Sequence, residues 1–219
     1  MAKRSRKKTA KTRRLIDADI EVFVIGNVGI GRYTWIWKWG YNQELPDFLR
    51  NQVANRFQLL PTRMIDLDTG YIAAVTVLYN LYFEKIFEDN LPKYLLEEFN
   101  VYIFCFSVVD RASFRDTENY WERLKLRHKS GFVAVLVGLK KDLRTDPATM
   151  AALAEHNEQP VSHEEGQRLA NKMRVKYFEC SANNDDGIEE PITEVVSLAL
   201  AAKKVRSLSK KEHGGCSIM

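Results

Sequence analysis

The chain has 219 residues, 45% of them hydrophobic and 28% charged, with a net charge of +4; that is apolar mass enough for one globular domain with tails, and excludes a disordered polymer. Three cysteines, Cys105, Cys180 and Cys216, are too few and too scattered for a disulfide framework or a zinc site, and point to a reducing compartment. The charge is uneven, because residues 1–19 carry eight Lys/Arg against two acids and residues 203–219 carry five against one, leaving the body net negative.

The N-terminal arm comes first. Lys3, Arg4, Arg6, Lys7, Lys8, Lys11, Arg13 and Arg14 make residues 1–19 too charged and too poor in apolar side chains to fold alone. They carry no apolar stretch of a secretory signal. Anionic membrane, nuclear import and nucleic acid all suit such an arm, as does a plain solvated tail. Glu21-Val22-Phe23-Val24-Ile25 then reads as a buried strand. It enters Gly26-Asn27-Val28-Gly29-Ile30-Gly31-Arg32-Tyr33, after which Thr34 to Lys38 can start a helix. Strand, glycine loop and helix match the pattern G-x-x-x-x-G-K-[ST], in which backbone N–H groups cradle phosphates, the Lys reaches their oxygens and the hydroxyl holds Mg²⁺. Here Arg32 stands where the Lys belongs and Tyr33 where the hydroxyl belongs. Gly26, Gly29 and Gly31 are the candidate cradle, against the plainer alternative of a turn at a strand end.

Trp35, Trp37 and Trp39, with Ile36, alternate like a strand rather than a helix, and suit either core packing or an aromatic binding surface. Gln43–Phe57 is polar and leaves room for an extra helix. Ala73–Asn80, Val101–Val109, Phe132–Val137 and Lys176–Cys180 read as strands whose apolar character suits a parallel sheet covered on both faces. Between them, Ser113–His128 has Phe114, Trp121, Leu124 and His128 at helical spacing. Ser162–Met173 opens with a Ser162/Glu165 capping box, and Gly187–Ala202 sets Ile188, Ile192, Val195, Val196 and Leu200 on one face. Strand and helix alternating in this way give the doubly wound α/β class, whose ligands bind beyond the carboxyl ends of the strands. No metal site is indicated by cysteine or histidine.

From Val101 onward the chain resembles small GTPases of the Rho family. Asn100–Asp110 is similar to the family's central strand, Val135-Leu136-Val137-Gly138-Leu139-Lys140-Lys141-Asp142 to its base-reading motif, and Glu179-Cys180-Ser181-Ala182 to the loop that closes over the base. Thr145–Glu158 followed by Pro160–Gly166 resembles the helical insert of that family, about residues 145–160. The resemblance implies a Ras-like P-loop fold over residues 20–202, a mostly parallel sheet with helices on both faces, and GTP or GDP with Mg²⁺ as ligands. It implies that Asp142 accepts the ring N–H donors of guanine, that the Lys140 stem packs on the ring, and that Ser181 and Ala182 complete the site; the alternative for the two charges is a solvated loop.

Several positions depart from the family. Leu139 replaces the Asn or Thr that ties the base motif to the glycine loop. Pro61-Thr62 resembles the first switch, where Thr62 would meet Mg²⁺ and the γ-phosphate, but lies farther from the glycine loop than usual. The second switch, Asp-x-x-Gly-Gln, falls on Asn80–Lys85, which has no Asp, Gly or Gln in register, so no catalytic residue is assigned. Val28 and Tyr33 bring bulk toward the phosphate space, where the aromatic ring would act as a plug. A lost hydroxyl and a lost carboxylate weaken a small octahedral cation, and a guanidinium is too wide to replace an ammonium as a point charge.

At the other end, Cys216-Ser217-Ile218-Met219 is a C-a-a-X box of the farnesyl type, preceded by Lys203, Lys204, Arg206, Lys210 and Lys211. A lipid on Cys216 and a polybasic patch would together hold residues 203–219 on the cytoplasmic face of a membrane. The expectation is a Rho-like pseudo-GTPase with no cofactor bound, whose partners are protein effectors or regulators and an anionic membrane, nucleic acid not being expected. The alternatives are a working GTP-binding Rho switch acting on the actin cytoskeleton, and a basic-armed nuclear or nucleic-acid adaptor.

Overall fold

The structure, a computed structural model, describes residues 18–46, 58–67, 72–79, 100–128 and 131–213. Six strands form one sheet: β1 (Ala18–Ile25), β2 (Gln58–Asp66), β3 (Ile72–Tyr79), β4 (Val101–Ser107), β5 (Val133–Leu139) and β6 (Lys176–Glu179). Their order is β2-β3-β1-β4-β5-β6. All neighbours are parallel except β2, which runs antiparallel to β3 at the sheet edge. The helices are α1 (Arg32–Tyr41), α2 (Arg111–Arg127), α3 (Pro147–Glu155), α4 (His163–Met173) and α5 (Glu190–His213), with a 3₁₀ turn over Lys141–Thr145.

Strand periodicity divides the core into two layers. Ile20, Val22 and Val24 of β1 and Ile103 and Cys105 of β4 face α1 and α5, packing with Trp35, Ile36, Trp39, Ile192 and Val196. Phe23, Ile25, Tyr102, Phe104 and Phe106 face the other way, against Tyr120 and Leu124 of α2 and Leu169 and Met173 of α4. Helices therefore cover both faces, as the apolar strands require. The chain leaves β1 for β3 on one side and reaches β4 on the other, so the crevice between the ends of β1 and β4 is the topological switch point.

Three local readings change. The tryptophan segment is helical: Trp35 and Trp39 lie four residues apart on the buried face of α1, and the apparent alternation comes from a helix hydrophobic around most of its girth. The strand β2, which the sequence hides, contains Pro61-Thr62. Pairing shifts between Leu59 and Thr62, a bulge that spares Pro61 a ladder donor and breaks the alternation. Helix α5 continues to His213, beyond Ala202, and β1 begins at Ala18, two residues before the expected domain start. The extra helix expected over Gln43–Phe57 falls, after Pro46, outside the described residues, as do Asn80–Lys85, the arm to Asp17 and the Cys216 box. The capping box at Ser162/Glu165 is formed in both directions. The insert is a real helix, α3, started by Asp146 accepting from the Thr149 N–H. Among the described residues no helix is long and apolar enough to cross a membrane.

Candidate functional site

The glycine loop follows β1 at the switch point. Gly26, Gly29 and Gly31 all have positive φ, 152°, 81° and 100°. A Cβ on Gly26 would stand 2.3 Å from the Cys105 carbonyl of β4, so the close approach of the strands requires glycine there. Gly31 caps α1 without a side-chain bond, and the first turn carries no acid. The loop is thus a cradle of backbone donors at a helix N-terminus.

Asn27 fixes this cradle to the opposite helix. Its amide donates to Asp116 Oδ2 at 2.7 Å, and Tyr120 donates to its oxygen at 2.9 Å. Neither partner stands near Asn27 in sequence, and no local signal announces the clamp.

The side chains meant for phosphate and metal point elsewhere. Arg32 is 1% exposed, and its Nη1 donates to the Val24 carbonyl at 3.3 Å. It runs down under the loop toward β1 and β4; burial pushes the Cys105 thiol up to about 12 against the pull of this guanidinium. The Tyr33 ring belongs to the core layer that includes Trp35, Ile36 and Trp39 of α1. It is buried along α1 with its centroid 5.9 Å from Trp37, while Val28 stands outward, 58% exposed. Thr62 is not brought to the loop: it pairs with Thr76 in the β2–β3 ladder, hydroxyl to hydroxyl at 2.8 Å. Thr76 in turn pairs with Glu21, five residues before Gly26, which puts Thr62 roughly 16 Å below the cradle at strand spacing. Among the described residues no three His, Cys, Asp or Glu side chains are grouped to hold a metal ion.

The base half keeps Lys140 and Asp142 but has Leu139 in place of the tying Asn or Thr. A cavity of about 330 Å³ opens beside the loop, lined by Gly31, Thr34, Leu139, Lys140, Asp142 and Ala182, with Trp35 and Cys180 among its walls. Lys140 sits at φ 60° and stretches across, its Nζ donating to the Gly29 carbonyl at 3.0 Å. It supplies the tie between the two loops that Leu139 cannot make. Burial pulls its ammonium below the ordinary lysine value, opposed by Asp110 and Asp142. Asp142 rims the cavity, 3.5 Å from the Asn183 amide.

Ser181 is held from behind. Its backbone exchanges two hydrogen bonds with Asp186, and its hydroxyl accepts from the Asn184 N–H at 3.2 Å. Two ion pairs brace the same turn, Lys141 to Asp186 at 2.5 Å and Lys38 to Asp185 at 2.9 Å. Sequence reasoning missed Asn183, Thr34 and this bracing, for which the only signal is position next to the motifs.

Tested against a Mg²⁺–nucleotide, the site divides. The cavity, Asp142 and Lys140 suit a guanine base. Arg32 turned inward, Tyr33 packed on Trp37 and Thr62 engaged with Thr76 do not suit a triphosphate with its metal.

A model of the Ras family matches residues 87–201. Over 124 residues the chain is 35% identical to the GTP-binding protein RHO1 of Candida albicans, a stretch covering 56% of this chain and 63% of that protein. The chain thus spans less than two thirds of that relative's length. The family match holds Lys140, Asp142, Ser181 and Ala182 and leaves out the glycine loop. Matched by this family's model over more than half its length, the chain belongs to the Ras family.

Proposed function

We propose that this is a Rho-like signalling protein acting through a fixed surface, with GTP binding and hydrolysis lost or strongly weakened. Its place is the cytoplasmic face of a membrane, through a lipid on Cys216 and the polybasic ends, and its partners are protein effectors or regulators. The observation that carries this reading is Arg32: the cation at the phosphate-binding position is buried under the loop and bonded to the Val24 carbonyl. Each missing charge-assisted contact removes about 1.5–3 kcal/mol, so three of them cost roughly 5–9 kcal/mol, or about four to six powers of ten in affinity.

A second reading, a working GTP-binding switch, is favoured by the base half, where Asp142 and Lys140 keep their places around the cavity. Single-turnover release of phosphate from GTP separates the two. The proposal expects no release above the uncatalysed background; release that saturates with GTP favours the switch.

A further inference from the structure

Resting on the proposed function for the kind of partner, a protein, we propose that the groove between α2 and α4 docks an acidic segment of that partner. One large apolar side chain enters between Phe114 and Leu169, and flanking carboxylates meet Arg115 and Arg168. The groove holds about 310 Å³ and is lined by these four residues with Glu118, Glu165 and Lys172. That is close to the smallest volume of a ligand pocket, room for a single large side chain.

Two ion pairs frame it. Arg111 meets Glu165 at two points, 2.9 and 3.1 Å, at one end, and about two turns further along both helices Lys172 meets Glu118 at the other. The helices are thereby held side by side in one register. The floor is equally fixed, since Phe114 packs edge-on against Phe106 at 4.8 Å and Leu169 belongs to the same buried layer. A site whose walls already stand in place spends little of its binding energy on ordering.

The framing pairs cancel their own charges and leave two cations. Arg115 and Arg168 are exposed, stand on opposite walls between the pairs, and make no ion pair among the described residues. Glu164, one turn before Arg168 on the same helix, feels its charge without bonding to it. On a body whose net charge is negative this is a local positive excess, which selects an acidic partner and repels a basic one. Each guanidinium fork suits a carboxylate at two points. The side chains of the floor offer carbon and no donor, so the occupant is an apolar side chain carried by a peptide rather than a bare anion.

Fluorescence anisotropy of the full chain with a short dye-labelled peptide, Glu-Asp-Leu-Phe-Glu-Asp, tests this. The peptide should bind saturably, and alanines in place of its Leu and Phe should weaken it at least about tenfold. R115E/R168E should melt like the parent, both positions being exposed, lose the peptide at least about tenfold, and bind Lys-Arg-Leu-Phe-Lys-Arg instead. K210E/K211E, which reverses as many charges near the C-terminus, should bind the acidic peptide like the parent. Binding that R115E/R168E leaves unchanged, or that K210E/K211E removes, overturns the proposal. So does self-association in sedimentation, or attachment to phosphatidylserine vesicles, that R115E/R168E abolishes while the peptide does not bind. Failure of the peptide to bind overturns the groove and leaves the proposed function standing, whereas nucleotide retained through purification overturns the proposed function alone.

Discussion

Arg144 and Glu179 meet at two points, Nη1 to Oε2 at 2.7 Å and Nη2 to Oε1 at 2.5 Å, joining the turn after the base motif to the end of β6. The Tyr177 hydroxyl donates to the same carboxylate at 2.6 Å, and Arg144 Nε donates to the Val161 carbonyl at 3.0 Å. Glu179 is nearly buried, with 7% of its side chain exposed. Burial alone would raise its pKa, but the hydrogen bonds from Arg144 and Tyr177 outweigh that and hold it below the ordinary glutamate value of 4.5. A carboxylate held down in the folded state stabilises above its unfolded pKa and loses that contribution as pH falls through the folded one. Melting temperature should hold steady from pH 8 to about 5 and fall below about 4.5. In E179Q the acid-side fall should be shallower, from a lower neutral starting point.

Removing one partner of this pair leaves the other uncompensated. E179A should lose about 3 kcal/mol of stability in a urea melt, against a few tenths for E155A at an exposed site.

Asn27 carries the link between the glycine loop and α2. N27A should cost about 2 kcal/mol, since it leaves the Tyr120 hydroxyl and the Asp116 carboxylate without their amide. Y120F, which removes one of the two bonds, should cost about 1 kcal/mol. Hydrogen exchange should show the loss of protection at Gly26–Gly31 and not in β5.

Thr62 distinguishes a switch from a strand. T62A should change stability by no more than about 1 kcal/mol in a urea melt, the worth of one exposed cross-strand pair. A loss of several kcal/mol in T62A would contradict its place as an exposed pair in the β2–β3 ladder.

Trp35 joins α1 to the turn that precedes α5, its indole donating to the Ile188 carbonyl at 3.2 Å from a fully buried ring. W35A should cost about 3–5 kcal/mol, read from denaturant unfolding.

Much of this was legible in the sequence because apolar strand runs and helix caps are local signals. β4 and β5 could be placed from their valines and aromatics alone, and the Ser162/Glu165 box marked the start of α4. β2 was not, because Pro61 sits at a bulge and breaks the period on which strand reading depends. In the site, Lys140 and Asp142 were readable from their motif. Residue type alone does not tell which way Arg32 points: an arginine after a glycine loop serves an anion or a carbonyl equally well, and here the Val24 carbonyl has it. Asp116 and Tyr120 became site residues only when α2 folded back against the loop.

The central claim is that the phosphate half of the site no longer holds a Mg²⁺–nucleotide. The most direct measurement is to denature the purified full chain and chromatograph what it releases. Weak binding does not survive purification, so the account predicts less than about one tenth of a mole of guanine nucleotide per mole of protein. Release of about one mole of GDP or GTP per mole would contradict it.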